Sequence, residues 1–215
     1  MFSSQSAARI TDLGLKGYPE TLLLQKETVQ RKKEARDSED VLFLVEHPDV
    51  YTFGRKSGPP PPNLKPVYQV ERGGEATYHC PGQLVVYPVF SLEENEKDAH
   101  RFLRNLEEVL ILVLKNYGIE SERRDGATGV WIPKDNRKIA SLGVAISGWV
   151  TYHGLALNVN NSLEGFSKIN PCGFSAGVMT SLKEYLGEKT PSVSEVKSEV
   201  VKAFSQVFPN RKFLK

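Results

Sequence analysis

Residues 138–160 constrain the architecture most. Lys138 to Ser147 and Val150 to Asn160 are two strand-like runs on either side of Gly148-Trp149, and together they read as a hairpin. Other short apolar runs supply strands to a sheet: Val41 to Val45, Val67 to Glu71 and Leu84 to Val89. Thr128 to Pro133 is a further one, joined to the hairpin by a polar turn through Asp135-Asn136. Helices stand between them. Residues 18–36 look helical and end in the charged run Gln30-Arg31-Lys32-Lys33-Glu34. Residues 99–117 place Phe102, Leu103, Leu106, Leu110, Val113, Leu114 and Tyr117 at helical spacing, and Gly118 is a natural stop. A last helix is expected from 192 to 207, opened by a Ser192/Glu195 capping box, with Val196, Val200 and Phe204 as its apolar stripe. Strands in hairpins with helices at intervals predict an α+β fold, with the helices on one face of a sheet.

The chain has 215 residues, which suits a single domain spanning 1–215. The net charge of +2 is too balanced for a nucleic-acid binder, and no apolar run approaches a membrane span. Gly58-Pro59-Pro60-Pro61-Pro62-Asn63 reads as a stiff loop too short to divide domains. The N-terminus lacks the apolar core of a signal peptide. There are two cysteines, Cys80 and Cys172, too few for a disulfide scaffold, so the expected setting is a reducing one. The cytoplasm fits, or the mitochondrial matrix in a eukaryote. The histidines (47, 79, 100 and 153) and the cysteines show no close ligand spacing, so neither a metal nor another cofactor is expected.

Three segments carry chemistry. Arg72-Gly73-Gly74-Glu75-Ala76-Thr77-Tyr78-His79-Cys80-Pro81-Gly82-Gln83 holds paired glycines, which allow a ligand close to backbone N–H groups; a tight turn between strands is the plainer reading. Lys138-Ile139-Ala140-Ser141-Leu142-Gly143 leads into His153-Gly154-Leu155-Ala156-Leu157-Asn158. Strand alternation puts Lys138, Ala140, Leu142 and Val144 on one face, opposite Ser141 and Gly143. Lys138 is either an end-of-strand charge or a cleft amine able to exchange protons. His153 is either a core histidine or a functional one. Finally, Pro171-Cys172-Gly173 sets a thiol in a turn, where a neighbouring base or cation (Lys138 or His79) would make it a nucleophile.

Taken together, these segments resemble the lipoyl(octanoyl) transferases, octanoyl-[acyl-carrier-protein]:protein octanoyltransferases. The pattern Arg-Gly-Gly-x-x-Thr-x-His-x-Pro-Gly-Gln is met at Arg72, Gly73, Gly74, Thr77, His79, Pro81, Gly82 and Gln83. Thr-Gly-Val-Trp at 128–131, Lys-Ile-Ala-Ser-Leu-Gly at 138–143, His153 to Asn158 and Pro171-Cys172-Gly173 match as well, as do Gln25 and His47-Pro48. Two positions depart from the pattern: Cys80 stands where glycine is commoner, and Asn161 near a frequent aspartate.

The resemblance implies the mixed sheet and helices of biotin and lipoate protein ligases. It implies Cys172 as the acyl-thioester nucleophile and Lys138 as its activator. Arg72, Gly73, Gly74, Glu75, Ala76, Thr77, Tyr78 and His79 would surround the acyl group, together with Ser141, Leu142, Gly143, Gly154, Leu155 and Ala156. His153 would support them. The implied donor is octanoyl-acyl carrier protein. The implied acceptors are lipoyl domains of 2-oxoacid dehydrogenase complexes and the glycine cleavage H protein. Backbone N–H groups near Gly173 or in the 141–143 strand are the expected oxyanion donors. The rival readings are an ATP-dependent lipoate or biotin ligase, a cysteine hydrolase and a non-catalytic acyl-binding module.

Overall fold

A computed structural model describes residues 6–35, 39–169 and 176–214. Seven strands form the main sheet: β1 (Ser6–Leu15), β2 (Asp40–Glu46), β6 (Gln83–Val89), β7 (Val130–Ile132), β8 (Arg137–Ser147), β9 (Val150–Asn158) and β10 (Arg211–Leu214). Their order is β10-β1-β2-β6-β9-β8-β7. β1 runs parallel to both β10 and β2, and the remaining neighbours are antiparallel, so the sheet is mixed. Three shorter strands, β3 (Val50–Phe53), β4 (Val67–Gln69) and β5 (Ala76–His79), form a second sheet in the order β4-β3-β5.

The helices α1 (Tyr18–Glu34), α2 (Ala99–Asn116), α3 (Leu182–Leu186) and α4 (Val193–Val207) do not share one face. Val41 to Val45 of β2 and Leu84 to Val89 of β6 are apolar at every position, and such a run needs cover on both sides. Leu42, Leu44, Leu84 and Val86 pack with Leu106, Leu110 and Val113 of α2 and with Val196, Val200 and Phe204 of α4. Val41, Phe43, Val45, Val85 and Tyr87 face the other way, where α1 covers part of the sheet through Val29 and Leu24. The one-face expectation is therefore corrected, because alternate residues of β2 and β6 are equally apolar.

The helix ends follow their sequence signals. Asp98 caps α2 by accepting from the backbone N–H of His100 and Arg101, and Gly118 stops it at φ +73°. Ser192 and Glu195 form the expected capping box of α4. Strands β1, β3, β5 and β10 and the short α3 were not anticipated. β5 lies in the glycine-bearing segment read as a turn. β1 and β10 are held by ladder bonds to partners far away in sequence, which no local pattern announces.

One irregularity matters for the site. Val130 pairs with Ala140 while Trp131 pairs with Lys138, so Ile139 is an extra residue on β8. Such a bulge reverses the alternation beyond it. Lys138 therefore lies on the face of Ser141 and Gly143, opposite Ala140 and Leu142. The alternation expected from the uninterrupted strand is corrected here.

Candidate active site

Above the face of the main sheet that α1 leaves open, the small sheet closes a narrow slot. The ladder supplies its floor: Ser141 opposite Ala156, Gly143 opposite Gly154, and Val85 next to Ala156. Two glycines here are steric requirements. A Cβ on Gly154 would stand 2.2 Å from the Val86 carbonyl oxygen, and one on Gly143 2.9 Å from the Gly73 carbonyl oxygen. The opposite wall is β5. Its alternation turns Thr77 and His79 into the slot and sends Ala76 and Tyr78 into a separate apolar cluster with Tyr51 and Phe166. The slot is narrow, with a cavity volume of about 30 Å³.

The 72–74 turn anchors the β5 wall. The Gly73 N–H donates to the Val144 carbonyl at 2.9 Å, and Gly74 takes φ +83°. Arg72 donates to the Thr52 carbonyl at 2.7 Å, the Thr52 hydroxyl at 2.9 Å and the Gly73 carbonyl at 3.1 Å. Its guanidinium braces the turn and forms one wall of the slot.

Hydrogen-bond logic fixes the protons of two histidines. The Thr180 carbonyl can only accept, so Asn158 gives it Nδ2 at 2.8 Å and keeps Oδ1 as an acceptor. Gln83 Nε2 donates to that oxygen at 2.8 Å and to the Tyr78 carbonyl at 3.1 Å. Gln83 Oε1 therefore accepts from His79 Nδ1 at 2.7 Å, which leaves His79 Nε2 as a bare lone pair. Burial, and then the nearby His47, push the His79 pKa down to about 3. Similarly, His47 Nδ1–H donates to the Lys16 carbonyl at 2.7 Å, and its Nε2 accepts the Tyr87 hydroxyl at 2.9 Å. Burial lowers the His47 pKa to about 4 against that carbonyl's pull.

His153 lies on β9 with φ +58°, a conformation uncommon for any residue but glycine. Its N–H donates to Gln25 Oε1 at 2.8 Å, and its ring lines the slot. Burial, then Arg72, push its pKa down to about 3. Three buried polar atoms of the slot lining lack hydrogen-bond partners among the described residues: Thr77 Oγ1, Ser141 Oγ and His153 Nε2.

Lys138 is wholly buried. Its Nζ donates to the Thr128 carbonyl at 2.7 Å and stands 5.5 Å from the centre of the Trp131 ring. Gly129, at φ +140°, makes room for it: a Cβ there would come within 2.4 Å of Lys138 Cε. The Lys138 backbone is bridged to Met179, and its carbonyl accepts from Thr180 N–H at 3.0 Å. Cys172, together with Pro171 and Gly173, lies outside the described residues. Cys80 is buried, its thiol 3.5 Å from the Ser162 carbonyl, and burial pushes its pKa up. It packs in one cluster with Ile169 and Met179.

Of the residues expected around the acyl group, Arg72, Thr77, His79, Ser141, Leu142, Gly143, Gly154, Leu155 and Ala156 line the slot, joined by His153. The side chains of Leu142 and Leu155 belong to the helix-side core, so their backbone is what faces the slot. Glu75 and Ala76 line a neighbouring groove with Lys56 and Lys168, and Tyr78 packs away from the slot. Sequence reasoning missed Tyr18, Val85 and Tyr87. The parity of Val85 and Tyr87 on β6 was a usable signal. Tyr18, stacked on His79 at 6.2 Å between ring centres, gave none. Among the described residues, no cluster of His, Cys, Asp or Glu could hold a metal ion, and no helix is long and apolar enough to cross a membrane.

Comparison with known proteins bears on this arrangement. A family model described as the lipoyl protein ligase A/B catalytic domain matches residues 18–205. The chain is 43% identical over 209 residues to an octanoyltransferase of Synechocystis sp., covering 94% of this chain and 90% of that protein. It is 42% identical over 222 residues to an octanoyltransferase of Christiangramia forsetii, with 93% and 94% covered. Among solved structures, a bipartite lipoate protein ligase from Thermoplasma acidophilum superposes with a TM-score of 0.70 at 14% identity, covering 99% of this chain and 86% of that one. Lipoate-protein ligase A bound with ATP gives 0.69 at 15% identity, with 98% and 88% covered. Biotin protein ligase from Aquifex aeolicus gives 0.53 at 15% identity, with 94% and 69% covered. At such identities the structural likeness speaks for the fold alone.

Proposed function

Since the chain belongs to the lipoyl protein ligase A/B catalytic-domain family, we propose that it is an octanoyltransferase, a single catalytic domain that moves an octanoyl group onto a lysine of a lipoyl domain. The observation that carries this reading is the narrow slot on the same sheet face as a fully buried lysine, which a one-residue bulge turns onto that face.

The donor in this reading is octanoyl-acyl carrier protein, and the reaction has two halves. The Cys172 sulfur attacks the thioester carbonyl of the donor, the bond to the carrier's sulfur breaks, and the octanoyl group rests on Cys172. Lys138 passes the thiol proton of Cys172 to the departing carrier thiolate. In the second half the acceptor lysine, as a neutral amine, attacks the Cys172 thioester. An amide forms, the cysteine thiolate leaves, and the amine's surplus proton returns to Lys138 or the thiolate. The acceptors are lipoyl domains of 2-oxoacid dehydrogenase complexes and the glycine cleavage H protein, and the setting is the cytoplasm. Two features support Lys138 in its role. Its amine is held by the Thr128 carbonyl and the Trp131 ring, and its backbone is bridged to Met179, seven positions after Cys172.

In this reading the aliphatic tail enters the slot. Each methylene it removes from water contributes about 0.8 kcal/mol. The test is incubation with octanoyl-acyl carrier protein and a purified lipoyl domain, without ATP, followed by intact mass of both proteins. Octanoylated lipoyl domain and an octanoyl adduct on the enzyme, the latter lost in Cys172→Ala, are expected. Transfer that requires ATP, or an undiminished adduct in Cys172→Ala, refutes the proposal.

A further inference from the structure

The peptide group that joins Thr128 to Gly129 is held at both ends. Its carbonyl accepts from Lys138 Nζ at 2.7 Å, and its N–H donates to Glu107 Oε1 at 3.0 Å. The peptide is trans, so its carbonyl and N–H point in opposite directions, and carboxylate, N–H, carbonyl and amine stand in series. Lys138 lies on the slot face, whereas Glu107 belongs to α2, which packs on the other face. One peptide group, just before the edge strand β7, therefore links the helix layer to the lysine.

Glu107 is out of keeping with its surroundings. Seven residues of α2 are buried; six are apolar, and the seventh is Glu107. Its Oε2 takes Arg104 Nη1 at 2.9 Å and lies 3.6 Å from Arg123 Nε, both arginines being partly exposed. That leaves Oε1 to the Gly129 N–H. A neutral acceptor would satisfy one backbone N–H, whereas a buried carboxylate brings a desolvation cost that its ion pairs need not repay. The carboxylate does more than a neutral group could. It is the stronger acceptor, and the bond it draws from Gly129 polarises the peptide, so that the Thr128 oxygen becomes a better acceptor in turn. The Lys138 amine stands at the far end, at the short limit of N–H···O distances. Glycine at 129 keeps that approach open, since a Cβ there would come within 3.0 Å of Lys138 Nζ.

We propose that Glu107 is a positioning residue for the transfer, acting on the Lys138 amine through the 128–129 peptide. The inference rests on the octanoyl-transfer reading, in which Lys138 handles the thiol proton, and extends the reacting apparatus to a side chain on the opposite face of the sheet. No proton moves along the relay. The Gly129 proton stays on its nitrogen, and Glu107 governs only how firmly and in which direction the amine is held.

The experiment compares wild type with Glu107→Gln and Glu107→Leu, each mixed with excess octanoyl-acyl carrier protein. Intact mass gives the first-order rate constant of adduct formation, which does not depend on the fraction of enzyme that is folded. Leucine removes the acceptor, and the rate is expected to fall roughly tenfold, the low end for loss of an orienting partner. Glutamine keeps an oxygen for the Gly129 N–H but no charge, and a fall of about threefold is expected. The half-saturating donor concentration stays within about twofold of wild type in both, because the donor meets neither Glu107 nor its arginines. The ¹⁵N resonance of the Lys138 amine should move in the same order, further in the leucine variant than in the glutamine one. Unchanged rates, a change confined to the half-saturating concentration, or an unmoved Lys138 resonance overturns the inference. Should Glu107→Leu not fold, Glu107→Gln decides alone, on its rate and its Lys138 resonance. If wild type forms no adduct, the octanoyl reading fails by itself, and the Lys138 resonance in Glu107→Gln still decides whether Glu107 holds the amine.

Discussion

Gln83→Leu is the sharpest test of how the slot is held. The Gln83 side chain makes three hydrogen bonds from a position 1% exposed. Leucine of similar size removes all three. The Asn158 oxygen keeps a bond from Asn161 Nδ2 at 3.2 Å. His79 Nδ1–H loses its acceptor and the Tyr78 carbonyl loses this donor, both in the interior. At about 1–3 kcal/mol for each group left unsatisfied, the gross loss is roughly 2–6 kcal/mol. Burying the added apolar carbon recovers about 1 kcal/mol. A net destabilisation of about 1–5 kcal/mol is expected, a sizeable part of the roughly 5–15 kcal/mol available to a domain. The midpoint of urea unfolding measures it. Nitrogen NMR of His79 adds a second readout: in wild type the proton sits on Nδ1, and in the variant this preference weakens. A loss below about 0.5 kcal/mol with an unaltered His79 tautomer would refute the hydrogen-bond chain from Thr180 to His79.

Three further outcomes are expected. Gly154→Ala forces a Cβ against the Val86 carbonyl and Pro88, and should cost at least about 1–3 kcal/mol by thermal melting; a neutral effect would mean that β6 and β9 can separate there. Asp40→Asn removes the carboxylate 2.7 Å from buried Lys32 and one of the two carboxylates paired with buried Arg211, which keeps Glu96 at 2.7 Å, and should cost about 3–5 kcal/mol in denaturant titrations. His47, His79 and His153 have folded pKa values of about 3–4 against 6.5 when free, so the unfolded chain binds more protons between these values. Their stabilising share is therefore complete above pH 6.5 and is lost as pH falls toward 3, by up to about 1.4 kcal/mol per pH unit per histidine. Unfolding curves at pH 7, 6 and 5 check this, and a flat profile would contradict neutral burial of these rings.

Much of the layered architecture could be read from the residues. The apolar face of α2, the capping box of α4 and the β8–β9 hairpin are local patterns, each decided within about twenty residues. Thr77, His79, Ser141, Gly143, Gly154 and Ala156 were legible as a group from their motifs, and all of them reach the slot. Glu75, Ala76 and Tyr78 belong to the same motif yet face elsewhere, because β5 is a strand and a strand presents only alternate residues to one side.

Local chemistry thus determined the three longer helices, six of the strands, the ends of α2 and α4, and which segments carry reactive side chains, because periodicity and capping act over a few residues. Only the tertiary structure decided which way those side chains point. The extra Ile139 that turns Lys138 onto the slot face exists only in its pairing with β7. The proton on His79 is set by a carbonyl about a hundred residues away, and Tyr18 and Tyr87 meet the slot by packing between distant elements. Hydrogen-bond register and packing between remote segments are collective properties of the folded chain, and no short window of residues contains them.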